Sequence, residues 1–571
     1  MFALHDPLDD ALRAELAEYD DFTASILARR GIESKQAAEH FLNPSYDEHL
    51  HDPLLMTDME KAAKRLAKAI TRGEKIAVWS DYDCDGGPGG VLMHDFLQKV
   101  GATFENYIPH RHLEGYGVNE MGVEKLAKGG ATLMVTVDSG ITDVEPIKRA
   151  HELGMEVIVT DHHLPGDALP DAFAVVDPKA RADEPYPFKE LCGSGLAWKL
   201  CCATLAVAPA LREKVGEGWE KWLLDMAGLA TIADMVPLSG ENRVIATYGL
   251  KVLRKSPRVG LGKLCAAARI NQRFITEEDI AFMIAPRVNA ASRMGDAYDV
   301  LRLFTTQDEA EAETIAKRLE KANRERRAAA GAITRAVHSK LAGRTVRSVI
   351  ALGDPEWRPA LLGLVANGIS EEYGRPVFLW GREGNMAIKG SVRSGGGVHA
   401  LKLMSAAGET FAQFGGHAAS GGFTVAPEAI YDFEDRLVAA LDRLVAGAAP
   451  EEESALRADA LIDPEDVTLD LLRTLTRLAP FGMGNEKPVF CIRDAEVARV
   501  ARFGKGSEHL RLAFTRASGE LGGIAFFVKG GLAKRADALT PGSRATVYAH
   551  LERDTFTRGQ PVRLRLLDLV P

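Results

Sequence analysis

The period of apolar and polar positions changes several times along this chain of 571 residues. In residues 1–70 apolar side chains recur at helical spacing, most clearly over 11–19 and 58–70, which predicts a helical covering layer. From 71 onward, apolar runs at 76–80, 133–137, 157–160 and 174–176 alternate with amphipathic stretches. Short apolar runs separated by helical patterns predict buried strands of a parallel α/β sheet. Residues 180–308 are mostly helical by pattern, and 309–343 form one long polar, basic helix that acts as a connector. A second, smaller α/β unit spans 344–447, opening on the apolar run 349–352 and carrying the patches Gly395-Gly396-Gly397 and Gly415-Gly416-His417. The acidic, Ala-rich stretch 448–455 marks a boundary. Residues 456–571 show short alternating runs at 511–514, 524–527 and 545–548 between Gly and charged turns, the pattern of a small β-barrel. No internal repeat is present.

Composition narrows the class. The length corresponds to roughly three or four domains, and 46% hydrophobic residues can fill several cores. The six cysteines are scattered without a C-x-x-C, so neither a zinc ribbon nor a disulfide framework is indicated, and a reducing cytoplasm is expected. The first residues lack a basic region followed by an apolar core, and no apolar stretch approaches about 18 residues, so no membrane association is expected. Net charge is −10, but from Arg493 onward 14 Lys and Arg outweigh 8 Asp and Glu. That basic end reopens the possibility of a nucleic-acid partner, which the whole-chain charge alone would discourage.

The chemistry concentrates where the apolar runs end. Asp81-Tyr82-Asp83-Cys84-Asp85-Gly86 follows the first, Asp138-Ser139-Gly140 the second and Asp161-His162-His163 the third. Ligands of open parallel sheets bind at the carboxyl ends of strands, so these residues would meet in one crevice. An EF-hand reading of the first motif fails because it follows a strand and because Leu92, not Glu, stands at its twelfth position. Asp234, in the apolar context Leu229 to Leu238, is a fourth carboxylate that burial would make costly without a partner. Several carboxylates with imidazole and no thiolate favour manganese or magnesium over zinc, and a pair of such ions suits phosphoester hydrolysis.

These motifs, in this order, resemble the DHH phosphoesterase superfamily and, within it, the RecJ-type single-stranded-DNA-specific exonucleases. Further marks of that branch are Tyr107-Ile108-Pro109-His110-Arg111, Gly115-Tyr116-Gly117-Val118-Asn119, Pro286 to Met294, Gly390 to Ser394, Phe414-Gly415-Gly416-His417 and Pro480-Phe481-Gly482-Met483-Gly484-Asn485. The resemblance implies a parallel-sheet DHH domain joined by a long helix to a smaller α/β DHH-associated domain, plus a C-terminal OB-like barrel. It implies two divalent cations, manganese or magnesium. Asp81, Asp83 and a bridging Asp138 would hold one, and Asp85, Asp138, His162 and Asp234 the other. Asp83, Asp138 and His163 would be catalytic, His163 facing the scissile phosphate and Asp161 orienting its neighbours. Arg111, Arg293, Ser391 and Arg393 would take a 5′-terminal phosphate, with His417 contacting the substrate.

The implied activity is 5′-to-3′ hydrolysis of single-stranded DNA to mononucleotides in recombination and repair, by a monomer that works with single-strand-binding protein or a helicase. Arg502, Lys505, His509 and Arg511 of the barrel are expected beside the bound strand, and removing residues beyond about 455 is expected to spare hydrolysis of minimal substrates. The chain departs from the family pattern at Gly87-Pro88-Gly89-Gly90, where relatives carry small residues such as Ala and Thr and where the glycines could either let phosphate approach the backbone or loosen the metal loop. It departs again at Ala366-Asn367-Gly368-Ile369, where an arginine is usual. Two rivals therefore stand beside the main reading: a DHH-type oligoribonuclease or cyclic-dinucleotide phosphodiesterase, and a non-catalytic single-strand-binding scaffold.

Overall fold

The computed structural model describes residues 3–382, 387–446, 457–504, 506–528, 530–554 and 562–571; Lys505 and the 448–455 boundary lie outside them. The chain divides into two compact units, one made of residues 1–320 with 456–571 and the other of 321–455.

In the first unit a five-stranded sheet runs in the order Thr103–Tyr107, Lys75–Ser80, Leu133–Val137, Glu156–Thr160, Ala174–Val176, with every pair parallel. Alternate residues of each strand enter different cores, as the two-residue period of a strand requires. Ile76, Val78, Val135 and Ile158 pack under the helices Met59–Arg72, Gly86–Val100 and Gly193–Val207. Ala77, Trp79, Met134 and Val159 pack on the other side with Val123, Leu126, Ile147 and Ala150 of the helices Glu120–Lys128 and Val144–Glu152. Burial on both faces explains why these strands read as unbroken apolar runs. The strand Thr103–Tyr107 escaped that signal because it is an edge strand with the polar sequence Thr-Phe-Glu-Asn-Tyr.

The N-terminal helices do not form one layer. Met59–Arg72 belongs to the core of the sheet, whereas Asp21–Arg29 and Lys35–Leu42 share a core with the C-terminal barrel through Ile26, Leu27, Phe41 and Leu42. In that barrel the strands Phe490–Phe503, His509–Arg516, Gly519–Ala525, Val562–Val570 and Arg544–Arg553 close on themselves by pairing the first with the last. Full closure removes the exposed edges an open sheet would carry.

The helix Glu309–Leu341 runs across the division between the units. The second unit carries a mixed sheet in the order Phe411–Gly416, Ser420–Val425, Lys389–Arg393, Val377–Gly381, Ile350–Gly353, in which only the last two strands are parallel. Among the described residues no single helix is long and apolar enough to cross a membrane.

Candidate active site

The strand order reverses between Lys75–Ser80 and Leu133–Val137, so the crevice of this sheet opens where those two strands end. Backbone pairing continues one residue beyond the strands. Asp81 N donates to Val137 O at 3.2 Å, Asp138 N to Thr160 O at 3.0 Å and Asp161 N to Val176 O at 3.2 Å. Three carboxylates from distant segments are thereby fixed side by side before any side-chain contact is made.

Their donor atoms fall into three overlapping groups, each with its ligand atoms within 4.8 Å of one another: Asp81, Asp83 and Asp138; Asp85, His162 and Asp234; Asp138, His162 and His163. The metal ligands expected from the sequence thus gather in one place, with Asp138 and His162 each in two groups. His162 Nε2 lies 3.2 Å from Asp138 Oδ1, 3.6 Å from Asp85 Oδ2 and 3.7 Å from Asp234 Oδ2.

Glycine makes this crowding possible. A Cβ on Gly86 would stand 2.6 Å from the Asp81 nitrogen, and one on Gly193 would stand 2.5 Å from the Asp138 Cβ. Asp138 itself sits at φ +63°, a left-handed conformation that costs a non-glycine residue energy and collects at functional sites. The Asp85 carboxylate accepts the N–H groups of Gly193 and Ser194, both at 2.7 Å. These are the first amides of the helix Gly193–Val207, so a helix N-terminus supports the anion. Sequence patterns alone gave Gly193 and Ser194 no such role.

The cluster is costly as it stands. Burial, then Asp83, raises the Asp81 carboxyl well above its ordinary range; burial, then Asp85, Asp83 and Asp81, does the same to Asp138; burial, then Asp85, raises Asp234. Asp81 Oδ1 and Asp138 Oδ1 are buried without a hydrogen bond. Buried carboxylates in mutual repulsion with unspent oxygens are the donor set that a hard divalent cation fits.

His163 is governed from the other side. Burial works against its charge, but Asp161 Oδ1, which accepts from His163 Nδ1 at 2.8 Å, overrides it and lifts the imidazole to about 9. Asp161 also accepts from the backbone N–H groups of His162, His163 and Ile141, so both of its oxygens are hydrogen-bonded. The Tyr116 hydroxyl donates to the Asp138 carbonyl at 3.1 Å and lies 3.1 Å from His163 Nδ1. A fourth strand ending was overlooked in the sequence: Asp177, after Ala174–Val176, is buried and raised to about 7 by burial, with Asp161 adding to the rise.

The chain is similar to known proteins over most of its length. The model of the DHH family N-terminal domain matches residues 75–232, that of the DHHA1 domain 339–445 and that of the RecJ OB domain 458–568. The single-stranded-DNA-specific exonuclease RecJ of Bacillus subtilis is 34% identical over 95% of this chain and 67% of its own length. That of Dickeya dadantii is 30% identical over 88% of both chains. The chain belongs to the RecJ family. The crystal structure of RecJ from Thermus thermophilus in complex with Mn2+ superposes with a TM-score of 0.81 at 29% identity, covering 100% of this chain and 79% of that one.

Other residues expected from the RecJ resemblance divide between the units. In the first, the Arg111 guanidinium lies 4.6 Å above the Tyr82 ring, and Arg111 and Arg293 both act on the Tyr82 hydroxyl, which burial raises to about 12. In the second, Ser391 and Arg393 share one face of the strand Lys389–Arg393, with Val392 turned into the core between them. Burial lowers the Arg393 guanidinium, which packs against Gly363. His417 is exposed in the turn between Phe411–Gly416 and Ser420–Val425.

The departures from the RecJ pattern also have physical settings. Gly87 to Gly90 are buried in the first turns of Gly86–Val100, where a Cβ on Gly89 would stand 2.5 Å from Val137 Cγ1 and one on Gly90 2.5 Å from Ser80 Oγ. The glycines tighten the helix against the strand ends instead of loosening the loop. Asn367 pairs with Glu371 at 2.7 Å on the helix surface, and Gly368 beside it faces open space.

In the barrel a groove of about 450 Å³ is lined by Arg499, Phe503, Arg511, Ile524 and Phe526. His509 lies edge-on to Phe503 and Phe526, and Arg565 stands 4.2 Å above the Phe526 ring. Residues 499, 501 and 503 line the groove, whereas Arg502 is turned from it and pairs with Asp537 at 2.5 Å.

Proposed function

We propose that this chain degrades single-stranded DNA from its 5′ end to mononucleotides with two divalent cations, manganese or magnesium. The single supporting observation is the pair of donor groups on either side of Asp138 and His162, within a family whose curated members are named single-stranded-DNA-specific exonucleases. Asp81, Asp83 and Asp138 would hold one ion and Asp85, Asp138, His162 and Asp234 the other. Bound there, the cations would lower the pKa of water and neutralise charge building on the phosphoester.

The chain's own residues supply the rest. His163, kept protonated by Asp161, presents its other ring nitrogen as a donor to a phosphoryl oxygen. Arg111 and Arg293 of the first unit suit a 5′-terminal phosphate, planar guanidinium groups being complementary to a dianion, and Ser391 and Arg393 carry the same chemistry in the second unit. The groove aromatics and arginines of the barrel stack on and neutralise a single strand without reading its sequence. We place the reaction in the cytoplasm, in recombination and repair, by a monomer that receives strands from a helicase or from single-strand-binding protein.

The test uses full-length protein, manganese and a long single strand labelled at the 5′ or at the 3′ end. Labelled mononucleotide should appear at once from the 5′ label and only late from the 3′ label, and Asp138→Ala should produce neither. Binding without cleavage would favour a scaffold, and cleavage confined to very short RNA would favour an oligoribonuclease.

A further inference from the structure

The residues that follow Asp234 are held by a turn from the other end of the chain. Asp234 closes the helix Leu224–Ala233, and Met235 next to it adopts φ +61°. Two residues later the chain is gripped from both sides. Asn242, fully buried, donates to the Pro237 carbonyl at 3.1 Å, and Leu238 N donates to the Met483 carbonyl at 2.8 Å.

Met483 lies in the tight turn Gly482-Met483-Gly484-Asn485, within the residues matched by the OB-domain model. Gly484, at φ +70°, takes the third position of that turn, which glycine occupies without strain. Cβ atoms added to Gly482 and Gly484 would stand 2.7 Å from Leu238 Cδ1 and 3.4 Å from Pro237 Cβ. The turn is itself pinned. Asn485 is fully buried and donates to the Leu478 and Pro480 carbonyls, both at 2.8 Å. The buried Arg243 guanidinium donates to the Leu478 and Ala479 carbonyls at 3.0 and 3.1 Å. The Arg243 donors and the Asn485 amide donors are spent on backbone carbonyls, so moving the turn would leave buried donors unsatisfied.

We infer that the turn Gly482–Asn485 positions Asp234 as a cation ligand, so that the C-terminal module is part of the metal centre and does more than hold DNA. This rests on the reading of Asp85, His162 and Asp234 as a cation site. Met483 and Asn485 are positioning residues: they touch neither ion nor substrate and act through the peptide from Asp234 to Leu238. The expectation that the C-terminal residues can be removed without harm to hydrolysis of minimal substrates loses its basis, since that removal would free this peptide and uncover the core shared with the N-terminal helices.

The test measures manganese binding directly, by the electron paramagnetic resonance of free Mn2+ titrated against metal-free full-length protein. It compares wild type with Asn485→Ala, with the milder Gly484→Ala should the first fail to fold, and with Val547→Ala, which opens a cavity in the barrel core while leaving every hydrogen bond of the turn in place. Hydrogen exchange of the Leu238 amide is followed in parallel. The expected result is an affinity weakened about 10-fold or more at one site in the turn variants, the loss typical of residues that support a ligand. Leu238 exchange should accelerate with it, and Val547→Ala should bind as wild type does. Unchanged affinity in a turn variant whose Leu238 exchange has accelerated would overturn the inference, as would an equal loss in Val547→Ala. Wild-type protein that binds no manganese would instead remove the cation reading itself.

Discussion

The carboxyl edge of the parallel sheet and the groove of the barrel are built on opposite principles. At the sheet edge, like charges are buried together, Asp81 and Asp138 keep oxygens without hydrogen bonds, and glycines at 86, 89 and 193 leave no room for a single added carbon. In the groove, Arg511 and Arg565 lie over the rings of Phe503 and Phe526, and Arg499 pairs with Glu520 at the surface. The first region is unstable by itself and acquires its sense from cations; the second is comfortable in water and tolerant of what it binds. Chemistry that must place atoms within tenths of an ångström uses the former, and sequence-indifferent holding uses the latter.

The comparison can be broken most forcefully at Asp138. Asp138→Asn should lower cleavage more than about 100-fold, since even supporting residues of metal sites cost that much. It should also raise the melting temperature of the metal-free protein by a few degrees, by relieving repulsion among Asp81, Asp83 and Asp85. A calorimetric scan in chelator that showed destabilisation instead would mean the cluster is not strained. A smaller effect is expected in the groove. Phe526→Ala should weaken binding of a long single strand by about 1–3 kcal/mol, the contribution of a stacked base, while leaving hydrolysis of a dinucleotide untouched. A fluorescence anisotropy titration together with dinucleotide turnover separates the two readings.

The finest probe is His163. Its folded pKa is raised, so the stabilisation it draws from Asp161 is complete below about 6.5 and is lost as pH rises through about 9. Ring-proton NMR of the metal-free protein should show it titrating near 9. In Asp161→Asn it should fall toward the ordinary histidine value, and an unchanged midpoint would assign the shift to some other group.

Much of the sheet edge was legible in the sequence because its signals are local. A strand buried on both faces is an unbroken apolar run, and the residue after it is visible at once as Asp81, Asp138 or Asp161. What escaped was non-local or polar. Thr103–Tyr107 is an edge strand without an apolar run, and Asp177 follows a strand of only three residues. The amides of Gly193 and Ser194 serve Asp85 through backbone, which leaves no trace in side-chain chemistry. In the barrel, bulges between Ile492 and Ala495 and between Val497 and Arg499 break the two-residue alternation of Phe490–Phe503. Which face Arg502 occupied therefore could not be counted from the sequence. The turn at Gly482 stood out only as a family mark, since its partner Leu238 lies far away in the sequence.

Anomalous diffraction at the manganese edge, from crystals soaked in Mn2+, tests the central claim most directly. Two peaks about 3.5–4 Å apart with Asp138 between them, one beside Asp81 and Asp83 and the other beside Asp85, His162 and Asp234, are the predicted result. Clean density at the sheet edge with no peak, or with Asp81 and Asp234 turned away from Asp138, would contradict it.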